Sequence, residues 1–210
     1  LIIVVMIISM LVGSFGGLAE NSLRRVLGYQ MLNGMPFMLV MMAFTTHDPQ
    51  RALGAGILYM IHHMITMGSL ILASGAIEET YGTGRLNKLS GLARRDPIIA
   101  WIFAAGAFSI VGFPPFSGMW GKVLIVAEVA RVGGGWAWAV IAVIIIASFA
   151  AFLAMLRVWR RVFWGKDLPK EKVPKELVIR KKLMAPSAAL ILGSLTMFIL
   201  SGPIIDVIQH

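Results

Sequence analysis

The sequence predicts an all-α protein that crosses a lipid bilayer about six times, and three observations carry that reading. Hydrophobic residues make up 58% of the 210-residue chain and charged residues 14%, whereas a soluble domain is roughly half apolar and about a quarter charged. With a mean hydropathy of +0.83, too little polar surface exists to cover a water-facing exterior. Apolar stretches recur at the length of a spanning helix, about 20 residues for about 30 Å of hydrocarbon. The cations collect in alternate loops between those stretches.

Six stretches qualify: 1–19, 28–45, 52–77, 97–132, 135–159 and 183–207. The first has no basic leading region and no small-residue cleavage site, so it is not a signal peptide. It opens at Leu1 with neither a methionine nor a polar flank, and the expectation is a piece of a longer chain. Gly13, Gly16 and Gly17 in this span, and Met31, Met35, Met38, Met41 and Met42 in the second, suit close helix packing.

The third span places His62 and His63 at its centre. Imidazole titrates near neutral pH and exchanges protons through two nitrogens, which suits a relay in a water-poor interior. Neighbouring residues on a helix point about 100° apart, so at most one of the pair faces a given path. No histidine or carboxylate lies four residues from either, so a helical metal site is not expected.

The fourth stretch is 36 residues long, almost double one crossing. Its middle reads Gly112-Phe113-Pro114-Pro115-Phe116-Ser117-Gly118. Two prolines remove two backbone donors and clash with the preceding turn, and Gly112 and Gly118 loosen it further. Two half-helices, 98–111 and 119–132, are expected around an interior break. Unwound backbone at membrane depth survives only where protein or a watery cavity satisfies it, and broken helices recur at the sites of ion transporters. One turn past the break stands Lys122. An ammonium inside a bilayer costs at least ~2.5 kcal/mol on insertion scales, a cost suited to a group that takes up and releases a proton. Glu128, nearer the outer end, is a candidate mouth residue.

Orientation follows from the loops. Sixteen of the nineteen cations follow the first, third and fifth spans, among them Arg24 and Arg25. Arg51 and Arg131 lie on the other side, and the remaining cation is Lys122. The basic loops are therefore expected in the cytoplasm and both chain ends outside. The net charge of +9 belongs to these loops rather than to a nucleic-acid surface. The segment 165–182, with seven lysines and arginines, reads as a positive-inside loop that could also meet anionic headgroups. With no cysteine, disulfides, zinc–cysteine sites and iron–sulfur clusters are excluded. The glycines of 82–91 lack the spacing of a phosphate loop, and no nucleophile–base pair or carboxylate dyad is present. Neither a cofactor nor enzyme chemistry is expected.

Leu23-Arg24-Arg25-Val26-Leu27-Gly28-Tyr29, His62-His63, Lys88-Leu89-Ser90-Gly91-Leu92, the stretch Gly112 to Lys122 and the run Arg157 to Gly165, in that order, resemble the antiporter-like membrane subunits. That family holds the proton-pumping membrane subunits of respiratory complex I and the two large antiporter-like subunits, A-type and D-type, of Mrp-type Na+/H+ antiporters. The likeness is greatest to the C-terminal half of the D-type Mrp protein. The resemblance implies about fourteen helices built on two inverted five-helix repeats. Residues 1–159 would then be the second repeat, 160–182 a basic cytoplasmic loop and 183–210 the final helix. It also implies partner subunits, a monovalent cation exchanged for H+ at the cell membrane, Lys122 as the proton-carrying residue of the broken helix and His63 as the central channel histidine. The family's usual Asp-Leu-Lys-Arg element is Ser22-Leu23-Arg24-Arg25 here, and Met67 stands where many members carry lysine. Two rival readings are a proton-pumping subunit of complex I or a membrane-bound hydrogenase, and a non-conducting assembly subunit.

Overall fold

The computed structural model describes residues 1–166 and 177–200. These form α1 (Ile2–Ala19), α2 (Leu23–Leu39), α3 (Pro49–Tyr81), the one-turn α4 (Leu92–Arg95), α5 (Pro97–Val111), α6 (Gly118–Val132), α7 (Gly134–Val158) and α8 (Lys181–Ile199). A 3₁₀ turn extends α2 through Ala43, and a π turn extends α7 through Phe163, closed by Trp164 N–H donating to the Trp159 carbonyl. Five of these helical stretches are long and apolar enough to cross a membrane, and α5 is a shorter apolar helix. The all-α, multi-spanning fold expected from composition is present. Lys170, Lys172 and Lys175 with Pro169 and Pro174, and the end of the last expected span, lie outside the described residues.

The expected break is also present, each half-helix starting one residue earlier than the sequence suggested. The two halves lie end to end along α3. A Cβ on Gly121 would touch Tyr59, Ser117 bonds His62, Thr66 bonds Ser109, and a Cβ on Gly106 would meet Leu70. As α3 advances, its partners on α6 and α5 recede, so the broken helix runs antiparallel to α3 with its gap opposite His62. At 33 residues α3 is about 50 Å long, enough to span both halves. It starts at Asp48, whose side chain caps Arg51 N–H at 3.0 Å with Pro49 following, and ends at Gly82 with φ +67°. Beside both α3 and the break lies α8, joined to α3 by a reciprocal pair in which Ser69 and Ser187 each donate to the other's carbonyl at 2.8 Å.

The helix that holds Arg24 and Arg25 begins at Leu23 rather than near Gly28, so these cations occupy its first turn instead of a loop. The apolar run starts later than the backbone helix because both side chains are exposed and turned to carboxylates: Arg24 pairs with Glu78 and Arg25 with Glu20. The connections after α1, α3 and α7 meet at one end of the bundle. Leu23 N–H donates to the Gly84 carbonyl and Leu86 N–H to that of Asn21. Arg94 reaches the Gly165 carbonyl and Arg95 that of Leu177, and buried Asp96 accepts from Tyr81 and from Ile179 N–H. The three loops read as one basic side are thus neighbours in space.

Arg157 closes this end by donating to the Leu18 and Glu20 carbonyls and to Asn21, satisfying acceptors that a helix C-terminus leaves unpaired. Arg157→Ala is expected to destabilise the fold by about 1–2 kcal/mol, because carbonyls that lose their donors stay partly shielded from water. Thermal unfolding of the purified protein in lipid nanodiscs measures it, and an unchanged Tm would contradict the assignment.

Inside, two apolar clusters are separated by a polar layer. Toward the basic loops pack Leu27, Leu70, Ile77, Phe103 and Phe163. Toward the other end pack Met10, Phe37, Tyr59, Ile125 and Val140. Between them, Gln30, Asn33, His62, His63, Thr66, Ser109 and Ser117 are all buried. Trp101, Trp138, Ile145 and Phe149 are more than half exposed, the inverse of a soluble surface and the arrangement lipid requires.

Candidate functional site

The site is built where α5 stops. Gly112 takes φ +97°, a conformation that glycine adopts freely, and its N–H and that of Phe113 both return to the Phe108 carbonyl at 3.0 Å. Pro114 and Pro115 carry the chain across the gap, and α6 restarts at Gly118. Gly118 is required by contact rather than by dihedral angle, because a Cβ there would overlap the Ser109 carbonyl and crowd the His62 ring.

Lys122 turns back across this gap. Its ammonium donates to the carbonyl of Val111, the last residue of α5, at 2.9 Å and to Ser148 Oγ on α7 at 3.0 Å. A terminal helix carbonyl has no intrahelical donor, and the C-terminal end of the helix dipole favours a cation. The break itself therefore supplies the counter-field for the ammonium. Nζ also sits 5.4 Å from the centroid of the Phe37 ring, within cation–π range.

The two histidines diverge as their adjacent positions require. His62 faces the break, with Nδ1 2.8 Å from Ser117 Oγ and 3.4 Å from Thr66 Oγ1. His63 faces α2, lying over Gly34, where a Cβ would collide with its ring, and stacked on Tyr59 with centroids 5.8 Å apart. Tyr59 stacks in turn on Phe37 at 5.2 Å. Lys122 and both histidines therefore surround one pair of aromatic rings, and among the described residues no hydrogen bond joins the lysine to either imidazole. Among the described residues, both ring nitrogens of His63, Nε2 of His62, both amide atoms of Gln30 and Oδ1 of Asn33 are buried and find no hydrogen-bond partner. Such a density of unpaired polar atoms is unusual for a core that serves packing alone.

Other sequence candidates lie apart from this centre. Glu128 is buried and bonded to Arg131 at 2.8 Å one turn on. Arg24 and Arg25 are at the basic end, paired as described. Met67 is enclosed in the apolar cluster on that side, so the turn of α3 that follows His63 offers Thr66 in place of a second titratable group. Sequence reasoning missed Ser109, Ser117, Ser148, Ser194, Gln30, Asn33 and the Phe37–Tyr59 pair. Only Thr66, one turn from His62, carried a local signal. A groove of about 510 Å³ between α5 and α7 is lined by apolar residues including Trp101, Phe152 and Trp159, and it contributes no titratable group.

A broken helix bridged by a lysine thus lies against a helix that carries two buried histidines. The chain belongs to the NADH:quinone oxidoreductase/Mrp antiporter transmembrane family, whose model matches residues 1–153. It is 30% identical over 191 residues to the D-type Na(+)/H(+) antiporter protein of Bacillus subtilis (strain 168), covering 90% of this chain and 36% of that protein. Among solved structures, the Mrp complex from Dietzia sp. DQ12-45-1b contains a chain that superposes with a TM-score of 0.86 at 29% identity, over 99% of this chain and 45% of that one. A chain of respiratory complex I from Thermus thermophilus superposes with a TM-score of 0.82 at 19% identity, over 99% and 43% respectively, a likeness of fold. The chain thus spans less than half the length of these relatives.

Proposed function

We propose that this chain is the second ion-translocating half of a D-type protein of an Mrp-like monovalent cation/proton antiporter, acting within a hetero-oligomeric complex of the plasma membrane. In this reading residues 1–159 are the second five-helix repeat, 160–182 the cytoplasmic basic loop and 183–210 the final helix, with both ends outside. Lys122 carries the proton, and His63 and His62 relay it. The observation that carries the proposal is the ammonium held across the break by the Val111 carbonyl and Ser148. Among the described residues the ammonium meets a carbonyl, a hydroxyl and an aromatic face and no carboxylate that would fix its charge, which suits a group that must load and unload. The likeness to the Bacillus and Dietzia proteins supports antiport over redox-driven pumping.

Lys122 lies over Phe37, Phe37 stacks on Tyr59 and Tyr59 stacks on His63; in this reading, transfer between the lysine and the imidazole, which no hydrogen bond joins among the described residues, requires water or a rearrangement. The experiment is cation-induced collapse of ΔpH in everted vesicles carrying the full complex. His63→Ala and His62→Ala are each expected to slow the collapse by about 100-fold, the low end of what a positioned proton-transfer group contributes. Normal rates from both, in assembled complexes, would overturn the relay.

A further inference from the structure

The groove between α5 and α7 runs from the basic end of the bundle to the break. Along α5 its wall is the stripe Pro97, Ala100, Ala104, Ala107 and Val111, residues that recur every three or four positions and so share one helix face. Four of the five are small, which leaves the space. The facing wall on α7 is large and apolar, with Phe152, Leu156 and Trp159. From Pro97 to Val111 the helix rises about 21 Å, more than the hydrocarbon depth of one leaflet, about 15 Å.

The mouth at the basic end is built differently. The π turn Trp159–Phe163 is closed by Trp164 N–H donating to the Trp159 carbonyl at 3.0 Å, and Trp164 comes round to line the groove beside Trp159. Between these two tryptophans in the chain stand Arg160 and Arg161, with Lys166 just beyond, all three exposed. Ala93 lines the mouth as well, and its neighbour Arg94 reaches the Gly165 carbonyl, tying the two sides of the mouth together. Arg24, Arg25, Arg51 and Arg131 each meet a carboxylate. Among the described residues no ion pair engages Arg160, Arg161 or Lys166. Tryptophans settle at headgroup level, and basic pockets between helix ends recognise anionic headgroups.

We propose that this groove seats an acyl chain of an anionic phospholipid, with the lipid phosphate held at the mouth by Arg160, Arg161 and Lys166. Charge selects the lipid, because a zwitterionic headgroup brings its own ammonium to the same three cations and an anionic one does not. The acyl chain lies along the alanine stripe. Its tip rests near Phe108 and Phe152, which line the groove and meet Phe113 of the break with ring centroids 5.9 and 6.1 Å apart. The bound lipid thus reaches from the basic end to the aromatic residues that brace the break. A spanning helix of a partner subunit is the rival occupant. It would cover the alanines equally well, but an apolar helix leaves the three cations without a counter-charge.

The test is photocrosslinking of the full complex in nanodiscs, using phosphatidylglycerol or phosphatidylcholine with a diazirine in one acyl chain and mass spectrometry to map the labelled peptides. Phosphatidylglycerol is expected to label the α5 and α7 segments that line the groove, and unlabelled phosphatidylglycerol, but not phosphatidylcholine, to compete it away. Each cation near a membrane surface is worth about fivefold in affinity for anionic lipid. Arg160→Gln combined with Arg161→Gln is therefore expected to lower phosphatidylglycerol labelling about 25-fold and to leave phosphatidylcholine labelling unchanged. Both side chains are exposed, so the complex should assemble, which a native gel checks. Ala107→Phe, which fills the groove from its α5 wall, is expected to remove the label with either lipid. Equal labelling by the two lipids, or undiminished phosphatidylglycerol labelling in the double variant, would overturn the proposal. Groove peptides that neither lipid labels in the wild-type complex would overturn it in favour of a protein occupant.

Discussion

Lys122→Ala in the full complex is expected to abolish cation-driven proton exchange, with a fall of at least about 100-fold on the scale of a positioned proton-transfer group. Everted vesicles energised to a fixed ΔpH and then given Na+ or K+ provide the measurement. Loss of the ammonium has two consequences that must be kept apart. The Val111 carbonyl and Ser148 lose their donor, which costs stability, and the path loses the group proposed to carry the proton. Assembly of the variant into the complex, followed by native gel, separates them. An assembled complex that still exchanges ions would remove Lys122 from the mechanism and leave it as a cap on α5.

The second large effect is structural. Gly118→Ala is expected to destabilise the broken helix by about 1–3 kcal/mol or more, the usual cost of forcing atoms into a packed interior. The added methyl meets the Ser109 carbonyl and stands 2.8 Å from Cε1 and Nε2 of His62. A backbone oxygen cannot rotate out of the way, so the start of α6 must leave α5 and α3, and the Ser117 hydroxyl leaves His62 with it. Gly28→Ala is the control. No heavy atom lies within 4 Å of its would-be Cβ, and alanine is the better helix former by about 1 kcal/mol. Thermal unfolding of the two variants in lipid should therefore move in opposite directions, and equal shifts would contradict the close packing inferred at Gly118.

The break was legible in the sequence because its chemistry is local. Pro114 and Pro115 cannot be helical interior, and Gly112 and Gly118 bound them, so the half-helices were placed to within one residue. The depth of His62 and His63 was equally plain from their position in an apolar run. Helix ends were less so: Arg24, Arg25 and Glu78 lie inside helices but outside the apolar windows, because a helix can outrun the hydrocarbon while its charged side chains pair in water.

The hydroxyls around His62 were not legible. Ser109, Ser117 and Ser194 are single polar residues in apolar surroundings, and a lone serine in a spanning helix is common enough to carry no signal. Only the antiparallel stacking of α5 and α6 along α3, with α8 packed beside both, brings them to His62. The same holds for Ser148 and for Phe37 and Tyr59, whose places beside Lys122 depend on which faces of α7, α2 and α3 turn inward. Composition sets those faces toward protein or lipid, but it does not set the rotation that matches one polar residue to another.

The central claim is that the residue closing the break must release its proton. Lys122→Arg addresses it most directly, because a guanidinium retains the charge and can donate to the same carbonyl and hydroxyl while remaining protonated throughout. A complex carrying this variant is predicted to assemble with near-normal stability and to fail to collapse ΔpH when the cation is added. Exchange at the wild-type rate would contradict the claim, since a fixed positive charge at the break would then suffice.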